Sequence, residues 1–170
     1  MTEGSIIFLS RRKGISFRAF ISYLIACFST KNRAEIDCVP VHTAIIFRCR
    51  GELCVRDMDY NGNTLFSLEE YRRKYAGRGR IKINPYEDDV TVFNVNCRCK
   101  RVKYDFLNLL IFQVFKSFFG VFVGKNTIRY RICSEDCARM FNKIKPIFRN
   151  PEQITPSEID KFISWNELYF

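Results

Sequence analysis

The chain has 170 residues, of which 47% are hydrophobic and 27% charged, and 17 are phenylalanine. This composition excludes a disordered or fibrous chain and suits one domain with a sizeable core. The formal net charge of +10 favours anionic partners, a nucleic acid or an anionic surface. The Lys and Arg residues are scattered rather than gathered in one run, so solubilising a Phe-rich fold is the preferred account of them.

In chain order, Ser5 to Ser10 predicts a short strand, and Ile15 to Phe28 has the apolar spacing of a helix. The apolar stretch after Arg11, Arg12 and Lys13 is broken by Arg18 and has no small-residue cleavage site, so no secretory leader is expected. Ser29 to Val39 reads as a polar loop. Val41 to Cys49 is β-rich and nearly all apolar, which predicts a central strand. Arg50-Gly51 is a turn signal, Glu52 to Asp59 is the returning strand, and Asn61-Gly62-Asn63 closes it. Leu68 to Tyr75 predicts a short basic helix, Arg78 to Asp89 a loop, and Val90 to Val95 a strand.

Tyr104 to Phe119 is expected to be helical. The longest apolar stretch, Phe106 to Val123, carries Asn108, Gln113, Lys116 and Ser117, too polar for a clean membrane span. A core helix is expected there, with an acyl-binding segment as the alternative. Ile128 to Ile132 leads into a helix from Cys133 to Lys145, ended before Pro146. Thr155-Pro156-Ser157-Glu158 opens a last helix with a threonine N-cap and proline in the first turn. Residues 1–170 thus form one α+β domain, an antiparallel sheet with helices packed on it.

The eight cysteines include no CxxC pair, and His42 is the single histidine. That spacing does not suit zinc, and no metal or cofactor is expected. Several cysteines sit in apolar strands, where a thiol behaves as a small hydrophobe, and free thiols imply a reducing compartment such as the cytoplasm.

Cys133 stands apart. It lies at a helix start, with Glu135 and Asp136 in the first turn. The free amides and dipole of a helix N-terminus favour the thiolate, the reactive form. Cys137, one turn further in, shares a face with Met140, Phe141 and Ile144 and reads as core. A nucleophilic cysteine needs a base, and the base an orienting group. His42 is the available base. A tight hairpin at Arg50-Gly51 puts Asp59 opposite His42 and Asp57 one diagonal step away on the same face. Either carboxylate would lie beside the imidazole.

The order of these parts resembles the circularly permuted NlpC-type proteins of the papain-like class, which include YiiX-like amidases and lecithin:retinol acyltransferases. Gly4-Ser5-Ile6-Ile7-Phe8 is similar to the family's opening strand, and Val41-His42-Thr43-Ala44-Ile45-Ile46 to its histidine strand, with Thr43-Ala44 in place of Val-Gly. Glu52 to Asp57 is similar to the next strand, which ends in the third polar residue. Tyr104-Asp105-Phe106, Cys133-Ser134-Glu135 and Ile154-Thr155-Pro156-Ser157-Glu158-Ile159 match later motifs.

The resemblance implies a papain-like fold and a cysteine hydrolase, an amidase, peptidase or acyltransferase, with Cys133 as nucleophile, His42 as base and Asp57 as orienting acid; Asp59 is the reserve. It implies a peptide, amide or lipid-acyl substrate, and a viral or phage setting, since relatives occur in phages and large DNA viruses. The competing expectation is a degenerate enzyme fold serving as a virion component, in contact with nucleic acid or other protein subunits.

Overall fold

A computed structural model of the chain describes residues 1–30, 32–86, 93–94, 102–105, 109, 119 and 130–170. The architecture is α+β. Strands β1 (Ile6–Ser10), β2 (Pro40–Cys49), β3 (Glu52–Asp59), β4 (Gly62–Ser67), β5 (Gly79–Lys82) and β8 (Glu167–Tyr169) form one sheet in the order β4-β3-β2-β1-β5-β8. All five of its pairings are antiparallel. A two-stranded parallel ribbon, β6 (Lys103–Tyr104) with β7 (Tyr130–Arg131), forms a separate sheet packed against β4, where the Val102 carbonyl accepts from the Asn63 amide at 3.1 Å.

Alternation along the central strands explains why both faces of the sheet are covered. Ile6, Phe8, Ile45 and Phe47 point into the main core. There they meet Ala138, Met140 and Phe141 of α3 (Cys133–Phe141), Ile159 of α4 (Pro156–Phe162), and Phe148. Ile7, Leu9, Ala44, Ile46 and Val55 point the other way, onto Tyr71 of α2 (Leu68–Lys74). Helix α1 (Phe17–Ser29) buries only Ala19 and Ala26. Each of α1, α2 and α4 opens on a hydroxyl N-cap, Ser16, Ser67 and Thr155, and Thr155 with Glu158 completes a capping box.

The β2–β3 hairpin forms at the Arg50-Gly51 turn, with Cys49 opposite Glu52 and the ladder running to Ala44 opposite Asp57. Arg50 has φ 53° and Gly51 φ 88°, both in the left-handed region. Two-residue hairpin loops of this kind favour Asn-Gly. Arg50→Asn is therefore expected to raise the urea unfolding free energy by about 0.5–1 kcal/mol without changing the m-value.

Several expectations need correction. Gly79–Lys82, expected as loop, is a strand, because β1 and β8 offer it partners on both sides. Strands β4 and β8 had no strong local signal. Within Val90 to Val95, Phe93 and Asn94 are helical. Phe93 is fully buried in the main core, and that burial overrides local β propensity. Tyr104 belongs to β6 rather than to a helix, while Leu109 and Phe119 are helical. The rest of the predicted 104–119 helix, most of 90–95, and Cys97 and Cys99 lie outside the described residues. Helix α3 ends at Phe141, earlier than the proline at 146 requires.

Candidate active site

Three elements converge on His42. It stands near the start of β2, beside an irregularity in the β1 register between Leu9 and Ser10. Pairing of β2 with β3 ends at Ala44 opposite Asp57, so Thr43 and His42 lie beyond that ladder. Asp57 is one diagonal step from His42, and its Oδ1 accepts a hydrogen bond from Nε2 at 2.5 Å. Because a carboxylate only accepts, Nε2 carries the proton, and Nδ1 is left for the sulfur.

The first turn of α3 supplies that sulfur. Cys133 lies beside the His42 ring and the Thr43 backbone amide, close enough for both to act on its thiol. Burial alone would raise the thiol pKa; the adjacent imidazolium and the Thr43 amide outweigh it and hold the thiol below its ordinary value. Burial alone would likewise lower the imidazole pKa. The Asp57 carboxylate and the Cys133 thiolate outweigh it and hold His42 well above its ordinary value. The two shifts favour the same state, a thiolate beside an imidazolium, with Asp57 behind the ring.

The structure thus brings Cys133, His42 and Asp57 together. Asp59 is elsewhere engaged: it pairs with Gly62 in the β3–β4 ladder, and its Oδ1 accepts from the Asn61 amide at 2.8 Å. Cys137 is 2% exposed within the main core.

Other residues of the site carried no clear sequence signal. Tyr71 of α2 is fully buried against Asp57. Burial first, then the carboxylate, hold its phenol well above the ordinary value, so it stays protonated. Neither the Tyr71 hydroxyl nor Asp57 Oδ2 attains full hydrogen-bond geometry with any partner among the described residues. Tyr71→Phe is expected to change stability by less than about 1 kcal/mol, because the hydroxyl it removes has no full hydrogen bond to lose. It is also expected to move the pH midpoint of Cys133 alkylation upward, since Asp57 loses its neighbouring donor; a pH series of iodoacetamide labelling checks this.

Arg56 drew no reading from the sequence; the one signal that could have found it is a charged residue inside a strand, flanked by Val55 and Asp57. Among the described residues it is the largest fully buried side chain. Its Nε and Nη2 meet Asp136 of α3 at 2.7 and 3.0 Å, and Arg131 Nη1 meets the same carboxylate at 3.0 Å. Asp136, expected only to favour the helix start, is the ionic anchor that docks α3 on β3.

Cys133 itself is 4% exposed and packs with Met58, Val102 and Tyr104. Gly62 allows the 102–104 segment to approach: it has φ 92°, and a Cβ there would lie 2.7 Å from the Val102 carbonyl oxygen. A cleft of about 1160 Å³ opens on the imidazole side instead and reaches His42. Its walls combine apolar Phe17, Ile21 and Ile25 with cationic Arg12, Arg18 and Arg78.

Compared with protein-family models and with curated proteins, the chain has no match, so the functional reading rests on this geometry.

Proposed function

We propose that the chain is a cysteine hydrolase or acyltransferase of circularly permuted papain-like type, working through an acyl-enzyme. The observation that carries this reading is the grouping of sulfur, imidazole and carboxylate at one place, with Nε2 and Oδ1 2.5 Å apart and the thiol beside the ring. Sulfur at a helix N-terminus, imidazole on a strand and acid on the neighbouring strand are the parts a thiol nucleophile needs.

In this mechanism the Cys133 thiolate attacks a carbonyl carbon and the C=O π electrons move to oxygen. First-turn amides of α3, which have no side-chain cap, are available to the developing oxyanion. The tetrahedral intermediate collapses, the bond to the leaving amine or alcohol breaks, and the imidazolium of His42 supplies its proton. Water, or an acceptor alcohol or amine, then gives a proton to His42, attacks the thioester and releases Cys133. Asp57 holds the ring with Nε2 protonated throughout. The apolar walls and cationic rim of the cleft suit a peptide, amide or acyl substrate carrying negative charge.

The test is covalent labelling with a carbonyl-mimicking electrophile, read by mass spectrometry. The adduct is expected on Cys133 and to vanish in Cys133→Ala, while Cys137→Ala labels as the parent does. A non-catalytic binding role draws support from one observation, the 4% exposure of the sulfur. Equal labelling of both variants, or none of the parent under conditions where the exposed Cys38 reacts, would favour it.

A further inference from the structure

We infer that the 11–18 turn and the outer face of α1 form a docking surface for an anionic membrane. Phe17, Phe20 and Tyr23 are spaced by three residues, so they form one stripe along α1. They are exposed by 69%, 56% and 43%, and Ile15, just before the N-cap, is fully exposed. Scattered apolar side chains on a surface are ordinary; a continuous stripe at the start of a helix, in none of the hydrophobic clusters of the described residues, is an open apolar face.

Cations border the stripe. Arg11 and Lys13 share the carboxylate of Asp37. Arg18 lies over the Tyr60 ring, 4.1 Å from its centroid. Among the described residues, no carboxylate is paired with Arg12 or Arg18. The surplus is positive, so the complementary partner is negative and offers an apolar phase beside its charge. A bilayer with anionic headgroups meets both demands: apolar side chains enter the headgroup–acyl boundary and the cations remain among the phosphates. Single-stranded nucleic acid meets only one. Its bases stack on aromatic rings, and Ile15, the most exposed of these side chains, has no ring to offer.

The same turn and helix line the cleft that reaches His42. Docking would therefore bring the cleft mouth to the membrane surface. The inference does not depend on the proposed chemistry, because adsorption needs neither Cys133 nor His42.

The test is co-sedimentation of the full chain with vesicles of phosphatidylcholine, with and without about one-third phosphatidylserine. Partitioning is expected to be at least about tenfold stronger on the anionic vesicles and to weaken steeply with added salt. Phe17→Ser/Phe20→Ser and Arg12→Glu/Lys13→Glu are each expected to reduce it by about tenfold or more. Ile15→Ser touches no core residue and guards against loss through misfolding; a several-fold reduction is expected from it alone. The inference is overturned if the chain ignores anionic vesicles, or binds neutral ones equally. It is also overturned if Ile15→Ser and the Phe17/Phe20 variant bind as the parent does, or if an oligonucleotide binds more tightly than the vesicles and no less tightly in Ile15→Ser.

Discussion

His42→Ala is expected to slow alkylation of Cys133 by iodoacetamide at neutral pH by about tenfold or more. With the imidazolium present, the thiol is held below its ordinary pKa, which raises its thiolate fraction. Without it, burial is the leading remaining influence and acts in the opposite direction. A thiol with the ordinary pKa near 8.5 is only about 3% ionised at pH 7, so each unit by which the pKa is lowered is worth up to about tenfold in reactive form. Part of what His42→Ala loses is returned, because a more basic thiolate is the better nucleophile. The pH profile gives the sign directly. In the parent, labelling should decline only as pH falls through the lowered thiol pKa, with a midpoint below that of glutathione in the same buffer. In His42→Ala the midpoint should rise above it. Turnover, once a substrate is found, should be lost at low pH by protonation of Cys133 and at high pH by deprotonation of His42, whose pKa is raised. An unchanged labelling midpoint in His42→Ala would show that ring and sulfur are neighbours without coupling.

Asp136→Ala is expected to cost about 3–5 kcal/mol, a large share of the stability of a domain of this size. The Asp136 carboxylate is 3% exposed and answers two guanidinium groups, Arg56 and Arg131, which are themselves 0% and 6% exposed. Removing it leaves both cations buried beside each other. The expected effect is largely this exposed penalty rather than the intrinsic worth of the pair, and the double variant Arg56→Met/Asp136→Leu separates the two. If the penalty dominates, the double variant regains most of the lost stability in urea unfolding, though Arg131 still lacks its counter-ion. A single-variant loss below about 1 kcal/mol would mean that the cluster is hydrated and does not anchor α3.

The same pair explains how the site holds its shape. Arg56 and Asp57 are consecutive on β3, so their side chains leave opposite faces of the strand. Arg56 clamps the helix that carries Cys133; Asp57 holds the ring beside its sulfur. One strand therefore positions two members of the site, and Asp136→Ala is expected to disturb Cys133 reactivity as well as stability.

Much of this was readable from local pattern. Strands β1, β2 and β3 follow from apolar runs and turn residues, and α1, α2 and α4 from periodicity and caps, because those signals depend on neighbours in sequence. The hairpin register follows too: a two-residue loop leaves no slack, so Asp57 and Asp59 had to lie on the face of His42. Local pattern cannot choose between them. Simple opposition favours Asp59; the observed contact is with Asp57, because the β2–β3 ladder ends before His42, Asp59 is drawn into the turn by the Asn61 amide, and Tyr71 closes over Asp57. The short strands β4, β5 and β8 escaped because their residues gain order only from a partner strand distant in the chain.

Sequence by itself determined the class of fold, the single histidine, and the cysteine placed at a helix start. Only the tertiary structure decided which acid meets the ring, which buried arginine anchors the helix, and on which side of the site the cleft opens. The physical reason is that these depend on energies of burial and pairing between groups distant in the chain, Arg56 and Asp136 being 80 residues apart, which exist only once the sheet and α3 are docked.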